Sequence, residues 1–296
     1  MKKTLIALLL ALGLISCSNQ TPNKKSNKQS ITVSVLPQKY FVEKILGDKF
    51  DINVMIPPGA SPVTYEPSPR QMKELSASTT YIRIGHIEFE KAWMGKLQNL
   101  NPKMDIIDLS VNTELIESEH NHETDHNISG HHHHGVDPHI WTSPKEVKKL
   151  TDLIYQYFVK QYPESKPEFA NNYKAFNNEI DSLNSYLESQ LQAYQGRKFL
   201  IFHPALSYLA RDYGLEQITI EIDGKEPTPA NIKEIIEVAK EENIKVIFVQ
   251  NQFSTHNAEV IANEINGRVV QIDPLAYNWN ESIKLIVDEI VKSYSK

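Results

Sequence analysis

The 296-residue chain is long enough for one large domain or two of medium size. Its 40% apolar and 23% charged residues exclude a disordered chain, and a formal net charge of -6 without a basic block excludes a nucleic-acid partner. The single cysteine excludes an intramolecular disulfide, a cysteine-rich metal site and an iron–sulfur cluster.

Lys2 and Lys3 precede an apolar run over residues 5–15, too short for a membrane-spanning helix of about 20 residues. Two positive charges and a short apolar core predict a secretory signal over 1–16. The run closes with Leu14-Ile15-Ser16-Cys17, which resembles the bacterial lipoprotein signal. Cleavage there would leave Cys17 as a lipid-modified N-terminus, holding the chain beside a membrane without inserting it. Ser16 stands where Gly or Ala is more usual. Residues 17–30 read as a flexible tether, since none from 18 to 30 is strongly apolar.

Strand-like and helix-like patterns alternate from Ile31 onward. Strands are predicted over 31–36, 51–56, 80–84 and 103–109, with helices over 38–46, 70–77 and 88–97. Two helices follow, over 144–162 and 168–195. The second carries Phe169, Tyr173, Phe176, Ile180, Leu183, Leu187, Leu191 and Tyr194 at spacings of three and four, on one face. It would span roughly 40 Å, enough to run the length of a two-lobed molecule and to limit relative motion of the lobes. Strands return over 198–202, 217–222, 245–249 and 269–272, with helices over 205–213, 230–241, 255–265 and 281–294. The expected fold is α/β: an N-terminal lobe over 31–143, a helical linker over 144–196 and a C-terminal lobe over 197–296, each lobe built on a parallel sheet.

Eleven histidines are present, and eight of them lie between His120 and His139. The segment 112–138 carries His120, His122, His126, His131, His132, His133 and His134, with Glu119, Glu123 and Asp125 among them. It is too polar for a core and reads as an exposed loop with weak, multi-site affinity for metal. Outside it, His139 precedes a helix, while His203 and Asp273 each follow a predicted strand. Ligands of parallel α/β sheets bind beyond the carboxyl ends of strands, where two imidazoles and a carboxylate would suit a divalent ion.

Five motifs then stand in order: Pro58-Gly59-Ala60-Ser61-Pro62 with Tyr65-Glu66-Pro67; Asp137-Pro138-His139-Ile140-Trp141; Phe202-His203-Pro204-Ala205-Leu206-Ser207-Tyr208; Gly224-Lys225-Glu226-Pro227-Thr228-Pro229; and Ile272-Asp273-Pro274-Leu275. From Ile31 to the C-terminus the chain resembles the metal-binding lipoproteins of bacterial ABC importers, the zinc and manganese solute-binding family. The resemblance implies two α/β lobes bridged by one long helix, with a metal cleft between them. It implies His139, His203 and Asp273 as ligands. His203, where manganese members usually carry Glu, and the acidic His-rich loop point to the zinc branch. The family's first histidine would stand at position 63, where this chain has Val63, which has no donor atom. His86 or Glu66 would replace it, water or a loop histidine would fill its place, or the site is weakened.

The function so implied is extracytoplasmic capture of Zn²⁺, as transported ligand, for an ABC permease of the cytoplasmic membrane. A monomer anchored through Cys17 in the cell envelope is expected. The alternatives are a metal-binding adhesin, a zinc buffer working through the loop, or manganese transport. No enzymatic activity is expected, since neither His-Glu-x-x-His nor Gly-x-Ser-x-Gly occurs.

Overall fold

The computed structural model describes residues 28–117, 135–221 and 225–295. The predicted signal, Cys17, most of the tether, and His120, His122, His126, His131, His132, His133 and His134 lie outside the described residues.

The first lobe runs β1 (Gln29–Val33), α1 (Leu36–Leu46), β2 (Phe50–Val54), α2 (Pro69–Ser76), β3 (Ser78–Arg83), α3 (Glu88–Leu100) and β4 (Asp105–Asp108). Its strands are all parallel, in the order β2-β1-β3-β4. Helices α4 (Pro144–Gln161) and α5 (Lys166–Leu191) follow. The second lobe runs β5 (Lys198–Ile201), α6 (Ser207–Tyr213), β6 (Glu216–Thr219), α7 (Pro229–Glu241), β7 (Val246–Gln250), α8 (His256–Glu264), β8 (Arg268–Ile272) and α9 (Trp279–Tyr294). Its strands are again parallel, in the order β6-β5-β7-β8, so the two sheets share one topology. In each, the connections diverge to opposite sides between the first and third strands, which leaves a crevice at the carboxyl edge there.

Local chemistry sets the boundaries. The strand predicted over 31–36 ends at Val33, because Pro37 suits a first helical turn and the Gln38 carboxamide oxygen accepts the N–H groups of Ser34 and Val35 at 2.9 and 3.0 Å. Ser68, Ser143 and Thr228 accept backbone N–H groups as N-caps of α2, α4 and α7. Gly214 ends α6 at φ +68°, a left-handed conformation costly for other residues. β7 is buried along its whole length, as a central strand covered on both faces must be.

The long helix α5 has 26 residues and spans about 39 Å. It starts two residues before its predicted boundary, and a 3-10 turn (Gln192–Tyr194) replaces its predicted last turn. Phe169, Phe176, Ile180, Leu183, Leu187 and Leu191 are buried on it. They belong to one core that runs from Ile31 and Val33 of β1 to Phe199 of β5, Phe248 of β7 and Ile283 of α9. Each such side chain contributes about 1.5–3 kcal/mol. That far exceeds the half-exposed Lys44–Glu179 ion pair between α1 and α5, worth about 0–1 kcal/mol. The lobes are thus joined through shared apolar packing. A separate core on the other face of the second sheet includes Leu200, Phe202, Ile247 and Val249. Among the described residues no helix is long and apolar enough to cross a membrane.

Candidate metal centre

His139 is set by the two residues before it. The Asp137 carboxylate turns forward and accepts both the backbone N–H of His139 and, at Nδ1, its ring, each at 2.8 Å. Pro138 between them restricts the backbone of this turn. The next residues form a 3-10 turn (Ile140–Thr142), and the Trp141 ring lies 5.2 Å from the imidazole. The Tyr208 hydroxyl, on α6 of the second lobe, donates to the Asp137 carbonyl at 2.7 Å.

His203 follows β5, at the crevice of the second sheet. Its carbonyl accepts from the Gln250 carboxamide at 2.7 Å, and its N–H donates back to that group at 3.3 Å. Gln250 ends the neighbouring strand β7, so the sheet register fixes the backbone of His203. The ring stacks on Phe253 at 4.9 Å, and Nδ1 meets the Glu221 carboxylate at 2.9 Å. Glu221, just past β6, is buried.

These contacts decide the tautomers. An ionised carboxylate can only accept, so each ring carries its proton on Nδ1 and keeps a lone pair on Nε2. The two Nε2 atoms face each other at 3.3 Å. Two lone pairs at that distance repel unless a cation lies against both. Tetrahedral zinc with Zn–N bonds of about 2.0–2.1 Å separates its nitrogen ligands by about 3.3–3.4 Å. The pair already has that spacing. Burial pushes the His203 imidazole below the ordinary histidine value, against the upward pull of Glu221. Burial would raise the Asp137 carboxyl, but His139, the Ser207 hydroxyl and the His139 N–H outweigh it and hold it below its ordinary value. Both effects favour the forms a metal needs.

Asp273 follows β8. Its Oδ1 accepts the Leu275 N–H at 3.0 Å, and its carbonyl accepts the Ser282 hydroxyl at 2.5 Å. It lines a small cleft with Val35, Pro58, Gly59, Gln252 and Leu275. Among the described residues no three His, Cys, Asp or Glu side chains are arranged to hold a metal, so Asp273 stands outside bonding reach of the histidine pair. Neither expected substitute for position 63 joins the pair either. His86 lies in the field of Asp108, Lys91 and Arg83, with its imidazole lowered chiefly by burial, and Glu66 is exposed. Val63 is 41% exposed in the turn after Ser61.

Three contributors escaped the sequence reading. Asp137 lay inside a quoted motif but had no assigned role, although Asp-Pro-His places its carboxylate two residues before the ring, a turn-forming spacing. Glu221 and Gln250 reach His203 only through strand pairing, and nothing local marks them.

The family described as zinc-uptake complex component A, periplasmic, matches residues 31–292. The zinc-binding lipoprotein AdcA of Streptococcus pneumoniae is 30% identical over 289 residues, 95% of this chain but 56% of that protein. The chain thus spans little more than half the length of that relative. The high-affinity zinc uptake system protein ZnuA of Bacillus subtilis is 27% identical over 277 residues, 90% of this chain and 85% of its own. A crystal structure of a ZnuA superposes with a TM-score of 0.83 at 38% identity, covering 91% of this chain and all of that one. The fold agrees with this likeness, and the chain belongs to the family of the periplasmic zinc-uptake complex component A.

Proposed function

We propose that this chain captures Zn²⁺ outside the cytoplasm and delivers it to an ABC permease. The observation that carries the reading is the facing Nε2 pair of His139 and His203, 3.3 Å apart with each Nδ1 held by a carboxylate. The two rings form the preset half of a zinc site. Asp273, after β8, supplies the third ligand once its side chain turns toward the ion. Water takes the fourth position, since Val63 offers no donor and neither His86 nor Glu66 joins the pair. Imidazole ligands favour zinc over manganese, which prefers oxygen donors. Cys17 carries the lipid that keeps the chain at the membrane, and the histidines of the 112–138 segment gather zinc at lower affinity.

The test is a zinc titration of the mature chain lacking residues 119–135, beside the same chain with His203→Ala. One tight zinc per chain, lost in the variant, is expected. No tight zinc in the shortened chain would mean that the histidine-rich segment alone binds metal, and the reading would fall.

A further inference from the structure

We propose that Trp141 and Trp279 are positioning residues that set Asp273 against His139 through an exchange of indole hydrogen bonds. The inference rests on the metal-capture reading and concerns how the segments that carry His139 and Asp273 are held together.

Trp141 stands two residues after His139, and its Nε1–H crosses to the second lobe to donate to the Pro274 carbonyl at 2.9 Å. Pro274 is the residue after Asp273. Trp279, which opens α9, returns the bond: its Nε1–H donates to the Trp141 carbonyl at 2.6 Å. The segment 274–279 is therefore tied at both ends to residue 141. Both indoles are 1% exposed, so neither N–H has water as an alternative. The Trp279 ring meets Phe41 of α1 at 5.2 Å and Phe176 of α5 at 6.5 Å, edge to face in both cases. The strut is thus rooted in the core shared by both lobes.

Packing alone would need only rings of this size. The N–H groups add direction, because each ends on a carbonyl beside or within a ligand-bearing segment. A rigid bicyclic side chain transmits position with little slack. The Leu275 N–H holds Asp273 Oδ1, which leaves the other carboxylate oxygen as the single donor for a metal.

The test is a double-mutant cycle by zinc competition titration on the full chain: Trp141→Phe and Trp279→Phe, each in the natural background and with Asp273→Asn. Thermal unfolding of each apo variant is followed alongside. The expected result is a loss of zinc affinity of about tenfold for each Phe variant in the natural background. With Asp273→Asn already present, the same changes should cost less than about twofold, because the ligand they position is gone. Equal losses in both backgrounds, or no loss in the natural one, would overturn the proposal. Where a Phe variant fails to fold, benzothienylalanine at the same position keeps both rings and removes only the N–H. A natural chain that binds no zinc tightly would instead overturn the metal-capture reading. Tight zinc in the natural chain with unchanged Trp variants would overturn the strut alone.

Discussion

The imidazoles of His139 and His203 lie 64 residues apart in the chain, yet their Nε2 atoms face each other at 3.3 Å. Each is held from behind by a buried carboxylate, Asp137 or Glu221. The arrangement leaves two lone pairs converging on one point, which is the ground of the zinc site proposed above. Replacing either ring by alanine should therefore cost more zinc affinity than removal of any outer partner, which commonly costs about 10–100-fold. Isothermal titration of His139→Ala and His203→Ala checks this. An affinity within about tenfold of the natural chain would argue against the pair as ligands.

Glu221 separates the role of charge from that of orientation. In Glu221→Gln the carboxamide oxygen still accepts the Nδ1 proton of His203, so the tautomer survives. In Glu221→Ala nothing holds the ring. Alanine should weaken zinc binding by about 10–100-fold and glutamine by only a few-fold. Equal losses would show that the negative charge, not the hydrogen bond, is what matters.

The pH dependence has a definite sign. Burial depresses the His203 imidazole in the folded chain below its unfolded value of about 6.5. Between those two values the unfolded chain binds the proton more readily, so this residue's contribution to stability falls as pH drops through that window. The apo protein should lose stability on acidification from 6.5, and NMR should show the His203 ring still neutral at that pH. Glu221 pulls the value upward, so in Glu221→Ala the ring should titrate lower still. A His203 titration above 6.5 would contradict the burial argument.

Position 63 offers a gain-of-function test. The proposed fourth ligand is water because valine has no donor. Val63→His should tighten zinc binding, and X-ray absorption should show one oxygen scatterer replaced by nitrogen. Unchanged affinity with unchanged coordination would place residue 63 outside reach of the ion.

Glu90 tests the base of the cleft. This buried carboxylate accepts the Ile84 N–H at 2.8 Å, the Gly85 N–H at 2.7 Å and the Ser34 hydroxyl. It thereby ties the carboxyl ends of β1 and β3 together. Glu90→Ala would orphan two buried N–H groups, each worth about 1–3 kcal/mol. Urea unfolding should report a loss of about 2–5 kcal/mol, while a loss under about 1 kcal/mol would mean that water reaches these groups.

Much of this molecule was legible in its sequence. Apolar runs bounded by Gly and Pro marked the eight strands, and the spacing of Phe169, Phe176, Ile180, Leu183, Leu187 and Leu191 marked the long helix, because these signals are local. The motifs around His139, His203 and Asp273 were likewise readable as short strings of residues beside strand ends. Tertiary structure alone decided which of them meet. Parallel pairing of β5 with β7 carried Gln250 to His203, and the end of β6 carried Glu221 to its ring, over separations of 47 and 18 residues. The bonds that tie Asp137 to Tyr208 and Trp141 to Pro274 brought His139 across 64 residues to His203, while His86 and Glu66 stand apart from both. Secondary structure follows from the periodicity of neighbouring side chains, whereas the meeting of two side chains depends on the register and packing of elements distant in the chain, which no local pattern encodes.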